Sequence, residues 1–315
     1  ALARHAKPMY QDWNQKLQPV TGIDFQIHET GMLIFDESDF EIGLSYAATH
    51  QEPQQQAKLL DQAKLQQINP RINQSKFKQA IYFSELANIR NPRLLQSIIR
   101  YLKQHTRVTW QEDCKITRLN IQQGRVKSIS DEHGRLFQAD QYVFTTGAWS
   151  QYWSQQLGLE IPVQPVQGQM LLFKTPENWL PTMCMNKVMY LIPRPDGHVL
   201  CGSSMRQVGF DTSPSREIRQ DILQACIEMV PELADFPLVK QWAGLRPSSP
   251  DGIPYIGKIP KLHNVWANFG HFRNGLCMGP ASGKLLAQLI LEQAPIVDPD
   301  PYDPVRLFEP SRLVL

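Results

Sequence analysis

The stretch QAIYFSELANIRNPRLLQSIIRYLKQH (residues 79–105), with its continuation into QYVFTTGAWS (residues 141–150), decides the fold class. Residues 79–84 have the β-branched and aromatic content of a strand. Asn91-Pro92 opens a helix. Asparagine is a good N-cap, and proline suits the first helical position, where its missing N–H would have no partner. Val108-Thr109-Trp110 reads as a short buried strand. Residues 114–139 read as three antiparallel strands turning at Gln123-Gly124 and His133-Gly134. A further strand from Gln141 to Thr145 runs into Thr146-Gly147-Ala148. Strand, helix, strand, meander, strand is the order of a nucleotide-binding α/β domain with an inserted meander.

Working outward, residues 1–18 place Leu2, Met9, Trp13 and Leu17 at helical spacing. Thr21-Gly22 ends that pattern. Ile23 to Ile27 alternates, Glu29-Thr30-Gly31 turns and Met32 to Phe35 returns, which predicts a hairpin. Residues 54–68 read as a polar helix stopped by Asn69-Pro70. Towards the C-terminus, residues 163–173, 188–193 and 198–203 read as strands, the last two joined by the turn signal Asp196-Gly197. A helix is expected over 215–229, strands over 238–244 and 265–269, and a last helix over 281–291. Strands that return after long excursions predict two interleaved domains: one of residues 1–20, 79–160 and 250–295, the other of residues 21–78 and 161–249.

With 315 residues, 42% hydrophobic and 20% charged, the chain has the composition of a soluble globular protein able to bury a large core. A formal net charge of +2 gives no basic field for nucleic acid. No apolar run is long enough to span a membrane. The five cysteines are scattered and form no CxxC pair, which reads as free thiols in a reducing compartment, the cytoplasm. The opening ALARHAKPMYQDW lacks the apolar core of a signal peptide and reads as the middle of a helix, so a preceding segment is expected. No GxSxG, HExxH or paired Cys/His metal spacing occurs, which leaves hydrolase and metal chemistry without support.

Three segments carry candidate chemistry. YVFTTGAWS (142–150) ends a strand in small residues, which lets backbone approach a ligand; it also fits an ordinary strand-to-helix turn. In GLRPSSPDGIPYIG (244–257), Arg246 follows a strand. A guanidinium there holds a carboxylate through two parallel hydrogen bonds, or else forms a surface ion pair. FGHFRNGLCMGPASGK (269–284) follows a strand and opens a helix, whose first N–H groups favour developing negative charge. His271 within it reads as a packed histidine and receives no role.

GLRP…DG-PYIG followed by GHFRNG…PASG, with TTGAWS upstream, resembles the FAD-dependent glycine oxidase / D-amino acid oxidase family, in particular its thiamine-biosynthesis glycine oxidase branch. The resemblance extends over essentially the whole chain, including TGIDFQIHETGMLIF and NPRLLQSIIRYL. It implies a D-amino acid oxidase-like α/β fold: an FAD/NAD(P)-binding-like domain (the first residue set above) and a substrate domain with an antiparallel mixed sheet (the second). Family members open with a GxGxxG loop. None occurs here, and about 50–60 residues, roughly two βα units, are expected to precede this chain.

The resemblance further implies non-covalent FAD, since sarcosine-type relatives use a cysteine near the second motif and none lies between Cys226 and Cys277. Arg246 would bind the substrate carboxylate, and Tyr190 would donate its hydroxyl to it. Arg273 would offer its backbone carbonyl to the amine, and Met205 would line the pocket. Thr146, Gly147, Gly270, Arg273, Asn274, Gly275, Leu276 and Met278 would contact the flavin, and Lys115 would lie near the adenine through its backbone. The implied reaction is oxidative deamination of glycine or a small amino acid: hydride to flavin N5, an imine product, and hydrogen peroxide when oxygen reoxidises the flavin. D-amino acid or sarcosine oxidation stays open as an alternative, as does a non-catalytic flavoprotein subunit or inactive fragment. A homo-oligomer is compatible with the resemblance.

Overall fold

The computed structural model describes residues 1–49, 57–105, 107–187 and 189–308. In chain order the first elements are α1 (Leu2–Thr21), β1 (His28–Glu29), β2 (Met32–Ile34), α2 (Ser38–Thr49), β3 (Ala57–Leu60), α3 (Gln62–Ile68), β4 (Ala80–Phe83), β5 (Ala87–Asn88) and α4 (Asn91–Gln104). Next come β6 (Ile116–Gln122), β7 (Arg125–Asp131), β8 (Leu136–Phe137), β9 (Tyr142–Phe144), α5 (Ser154–Leu157), β10 (Gln164–Lys174), β11 (Met183–Met185), β12 (Tyr190–Pro193) and β13 (His198–Gly202). The last are α6 (Arg216–Met229), β14 (Leu238–Ser248), β15 (Tyr255–Lys258), β16 (Val265–Phe269) and α7 (Gly275–Ile290). The architecture is α/β. Among the described residues no helix is long and apolar enough to cross a membrane.

Two compact units result. Unit 1 comprises Ala1–Phe25, Asn91–Val166 and Leu245–Leu315; unit 2 comprises Gln26–Arg90 and Gln167–Gly244.

In unit 1, a sheet of order β15-β16-β9 carries Tyr142, Phe144, Val265, Ala267 and Phe269 into one core with Leu119 and Val126 of the β6-β7-β8 meander. Buried Asn264 ties meander to sheet. Its side chain accepts from Val126 N and donates to Val126 O, both at 2.9 Å, as a strand neighbour would. A second core joins α1 to α7. Leu2 and Ala6, one turn apart, meet Ala281, Leu285 and Leu286.

Unit 2 is built on an eight-stranded mixed sheet of order β14-β10-β13-β12-β11-β2-β4-β3, in which β11 and β2 run parallel. Ser215 caps α6 by accepting from Ile218 N. Ile218, Ile222, Cys226 and Met229 then bury one helical stripe against Leu171, Phe173, Leu191 and Cys201 of the sheet. Each such aliphatic side chain contributes roughly 1.5–3 kcal/mol on leaving water.

Several expected elements form differently. The hairpin over residues 23–35 does not exist: β1 pairs with β5, while β2 pairs with β4 and β11. The 28–34 segment therefore runs along residues 81–88 and kinks at Gly31, where φ is +62° and the Tyr82 ring occupies the space a side chain would need. Within the expected helix 54–68, residues 57–60 form β3, and Asp61 starts α3 by accepting from Lys64 N; residues 54–56 lie outside the described residues. Val108 and Trp110 are exposed and form no strand. The strand expected over 188–193 begins at Tyr190, with Val188 outside the described residues. α7 starts at Gly275, six residues before the expected Ala281, with Pro280 inside it.

Candidate active site

Two groups of predicted site residues are assembled, one in each unit. In unit 1, β16 and β9 run parallel with Val265 opposite Tyr142 and Ala267 opposite Phe144. Their C-terminal ends share one edge of the sheet, where α/β proteins bind ligands. Thr146 and Gly147 leave β9 there, and Gly270 to Asn274 leave β16. The 146–150 turn holds itself: Thr146 Oγ1 and Ser150 Oγ are 2.9 Å apart, and Ser150 Oγ donates to Gly147 O at 2.7 Å. Gly147 has φ +54°, and a Cβ added to it would meet nothing within 4 Å.

The start of α7 completes this edge. Its N-cap, Asn274, makes no side-chain capping bond. The first turn of α7 therefore takes no side-chain acceptor from its N-cap, and it lies at the positive end of the helix dipole. Arg273, Asn274 and Leu276 are exposed, and Gly275 and Met278 half-buried. Arg246 lies half-buried on β14, and the two motifs meet, because Ser248 forms an antiparallel bridge with His271. His271 faces inward, its Nε2 3.1 Å from Ser282 Oγ. Burial pushes its pKa down to about 4, so it is a neutral packing residue. Lys115 is exposed, and its carbonyl accepts from Glu132 N at 3.0 Å, inside the meander ladder.

In unit 2, Tyr190 lies on β12 and Met205 in the segment that follows the neighbouring strand β13. Tyr190 on β12 and Met170 on β10 both lie opposite Gly202 of β13. The Met170 sulfur sits where a side chain at Gly202 would be. The Tyr190 hydroxyl reaches over to donate to that sulfur at 3.3 Å. A thioether is a weak acceptor, so this hydroxyl is readily redirected to an anion. Met205 is 56% exposed just beyond β13.

Two supporting features are not anticipated from the sequence. Buried Gln169 accepts from Ser215 N and Gln241 Nε2, both at 3.0 Å, and donates to Gln167 Oε1 at 3.0 Å. Gln167 in turn donates to Asp211 O at 2.8 Å. These glutamines pin the 203–215 segment that carries Met205. Their signal is the i, i+2 spacing in VQGQ, polar residues on one face of an otherwise apolar strand. The second feature is Tyr10, whose hydroxyl donates to Leu276 O at 2.5 Å. Pro280 inside an apolar helix is the signal for it.

Parallel strand ends, a left-handed glycine with open space before it and a helix start without a side-chain cap are features that α/β proteins use to bind dinucleotides. A family model described as FAD dependent oxidoreductase matches residues 1–289, and this chain belongs to that family. FAD is its cofactor, and the Gly147 turn and the α7 start fit the requirement for close backbone approach and free amides. The glycine oxidase of Pseudomonas putida is 40% identical over 304 residues, 96% of this chain and 82% of the relative. A bifunctional ThiO/ThiG protein of Nostoc is 28% identical over 93% of this chain and 44% of its own length. The crystal structure of glycine oxidase from Geobacillus kaustophilus superimposes with a TM-score of 0.89 at 22% identity, over 96% of this chain and 81% of that one.

Proposed function

We propose that this protein oxidises glycine, or an amino acid of similar size, to the imine, and that it serves thiamine biosynthesis. The likeness to glycine oxidase over 96% of the chain supports the substrate, and the likeness to ThiO/ThiG supports the pathway. The residues assigned to the flavin lie in unit 1, and Tyr190 and Met205 lie in unit 2. Bound FAD supplies the hydride acceptor and passes electrons to oxygen. The chain's own work is to bind and orient. Arg246 holds the substrate carboxylate by a bidentate pair, and Tyr190 gives up its weak bond to Met170 to donate to the same carboxylate. The Arg273 carbonyl accepts from the amine in its neutral form, and Met205 closes the pocket. Positioning of this kind supplies up to ~7–11 kcal/mol of a barrier, so no strong base is needed. The observation that carries the assignment is the Ser248–His271 bridge, which sets the Arg246 strand beside the segment leading into α7. The cytoplasm is the proposed location, supported by five cysteines in the thiol form.

Anaerobic glycine should bleach the flavin bands of the holoenzyme. Bleaching by sarcosine or D-alanine in its place keeps the chemistry and changes the substrate. Arg246→Ala should raise KM for glycine roughly 10- to 150-fold, the worth of about 1.5–3 kcal/mol for a hydrogen bond to a charged group. Tyr190→Phe should raise it only about 2- to 13-fold, the worth of about 0.5–1.5 kcal/mol. An unchanged KM in Arg246→Ala, with folding intact by circular dichroism, overturns the assignment of the carboxylate site.

A further inference from the structure

Proline in a helix interior removes the N–H that would bond the carbonyl four residues earlier, and its ring crowds that carbonyl. In α7 the proline is Pro280, and the carbonyl is that of Leu276, in the first turn. This turn already lacks a side-chain cap at Asn274. The missing donor comes from α1: Tyr10 Oη donates to Leu276 O at 2.5 Å. A Cβ at Gly279 would lie 3.4 Å from the Tyr10 hydroxyl, which shows how closely Tyr10 seats on this turn. Tyr10 is itself fixed. Leu2 and Ala6 anchor α1 on Ala281, Leu285 and Leu286, and Trp13 packs edge-on at 6.4 Å from the Tyr10 ring. Burial raises the Tyr10 pKa, so the hydroxyl stays a donor at every physiological pH.

We propose that Tyr10 is a positioning residue for the flavin: through the Leu276 carbonyl it clamps the first turn of α7 and keeps that turn's amides aimed at the cofactor. The proposal rests on the reading of the α7 start as flavin-facing. Pro280 and Tyr10 form one device. Proline leaves the carbonyl without its helical N–H, and tyrosine takes that carbonyl from outside the helix.

The double variant gives the test, because alanine at 280 restores an N–H able to bond Leu276 O. Holoenzymes carrying Y10F, P280A and both are compared by FAD dissociation constant and by amide exchange of residues 270–282. Y10F alone should exchange faster in the first turn and hold FAD about 2- to 10-fold more weakly, as expected for one hydrogen bond. In the P280A background the same Y10F change should add nothing to either measurement. Equal losses from Y10F in both backgrounds, or no loss in either, overturn the proposal. FAD added to the unmodified apoprotein should slow exchange at residues 275–278. If it does not, the flavin-facing reading falls, and the flavin role of Tyr10 with it, while the exchange pattern of the variants still reports separately on the clamp.

Discussion

His271 stands in the GHFRNG segment, beside Arg273 and the start of α7, where a histidine invites a catalytic role. Its surroundings deny it one. The ring faces Ser282 at 3.1 Å, and burial lowers its pKa to about 4. Its sign of linkage follows directly. Unfolded, the imidazole takes a proton near pH 6.5; folded, only near 4. Between these values the unfolded chain binds more protons, so stability is full above about pH 6.5 and is lost as pH falls towards 4. At about 1.4 kcal/mol per unit, the fall from 6.5 to about 4 is worth roughly 3–3.5 kcal/mol in full, of which roughly 2 kcal/mol is lost by pH 5. Urea unfolding at pH 7.5 and pH 5 should therefore show a drop in midpoint that His271→Gln largely removes. A drop of equal size in the variant would assign it to other groups. From the sequence, the order of the two motifs is the ground for assigning Arg246 and Arg273 to one site, and the Ser248–His271 bridge supports that proposal. The inward turn of His271 is not legible there, because burial depends on Ser282, one helical face away.

At the scale of elements, those with strong local signals form as expected: α6 behind Ser215, the β12–β13 turn at Asp196-Gly197, the three-stranded meander, and β9 running into Gly147. Those that fail do so where a distant partner overrides a local pattern. Residues 23–35 look like a hairpin, yet their pairing is set by β4, β5 and β11. Lys58 and Leu59 sit in a polar, helix-forming context but pair with Tyr82 and Ile81 of β4. The last helix, expected to begin at Ala281, instead runs through Pro280 from Gly275, and Tyr10, some 270 residues earlier in sequence, takes the Leu276 carbonyl that Pro280 leaves without its N–H. Gly202 shows how such cross-strand contacts bear on the site. Gly202→Ala should push the Met170 sulfur away from the Tyr190 hydroxyl and cost about 1–3 kcal/mol by overpacking. Met170→Ala in that background removes the displaced atom, so thermal midpoints should show partial compensation between the two changes. Strictly additive losses would place the strain elsewhere.

For the whole molecule, the order of strands and helices does not tell which distant segments share a core. Unit 1 gathers three stretches of chain and unit 2 two. The α1–α7 core of unit 1 joins Leu2, Ala6, Ile256, Ala281 and Leu285, residues from opposite ends of the sequence. The first and third stretches of unit 1 hold that core between them, so its stability belongs to both together. Leu2 is fully buried and faces α7. Leu2→Ala should cost about 2–5 kcal/mol, the range for leucine truncation in a packed core. Because β15 and α7 share this core, the loss should spread. Amide exchange should accelerate in peptides covering residues 255–258 and 275–290 as well as in α1 itself. Faster exchange confined to residues 2–21 would make α1 a separately melting element, and unit 1 would then not unfold as one cooperative body. The same experiment bears on the clamp at Tyr10. If α1 and α7 loosen together, a change at the start of the chain reaches the α7 turn that we assign to the flavin, with no contact of its own to the cofactor.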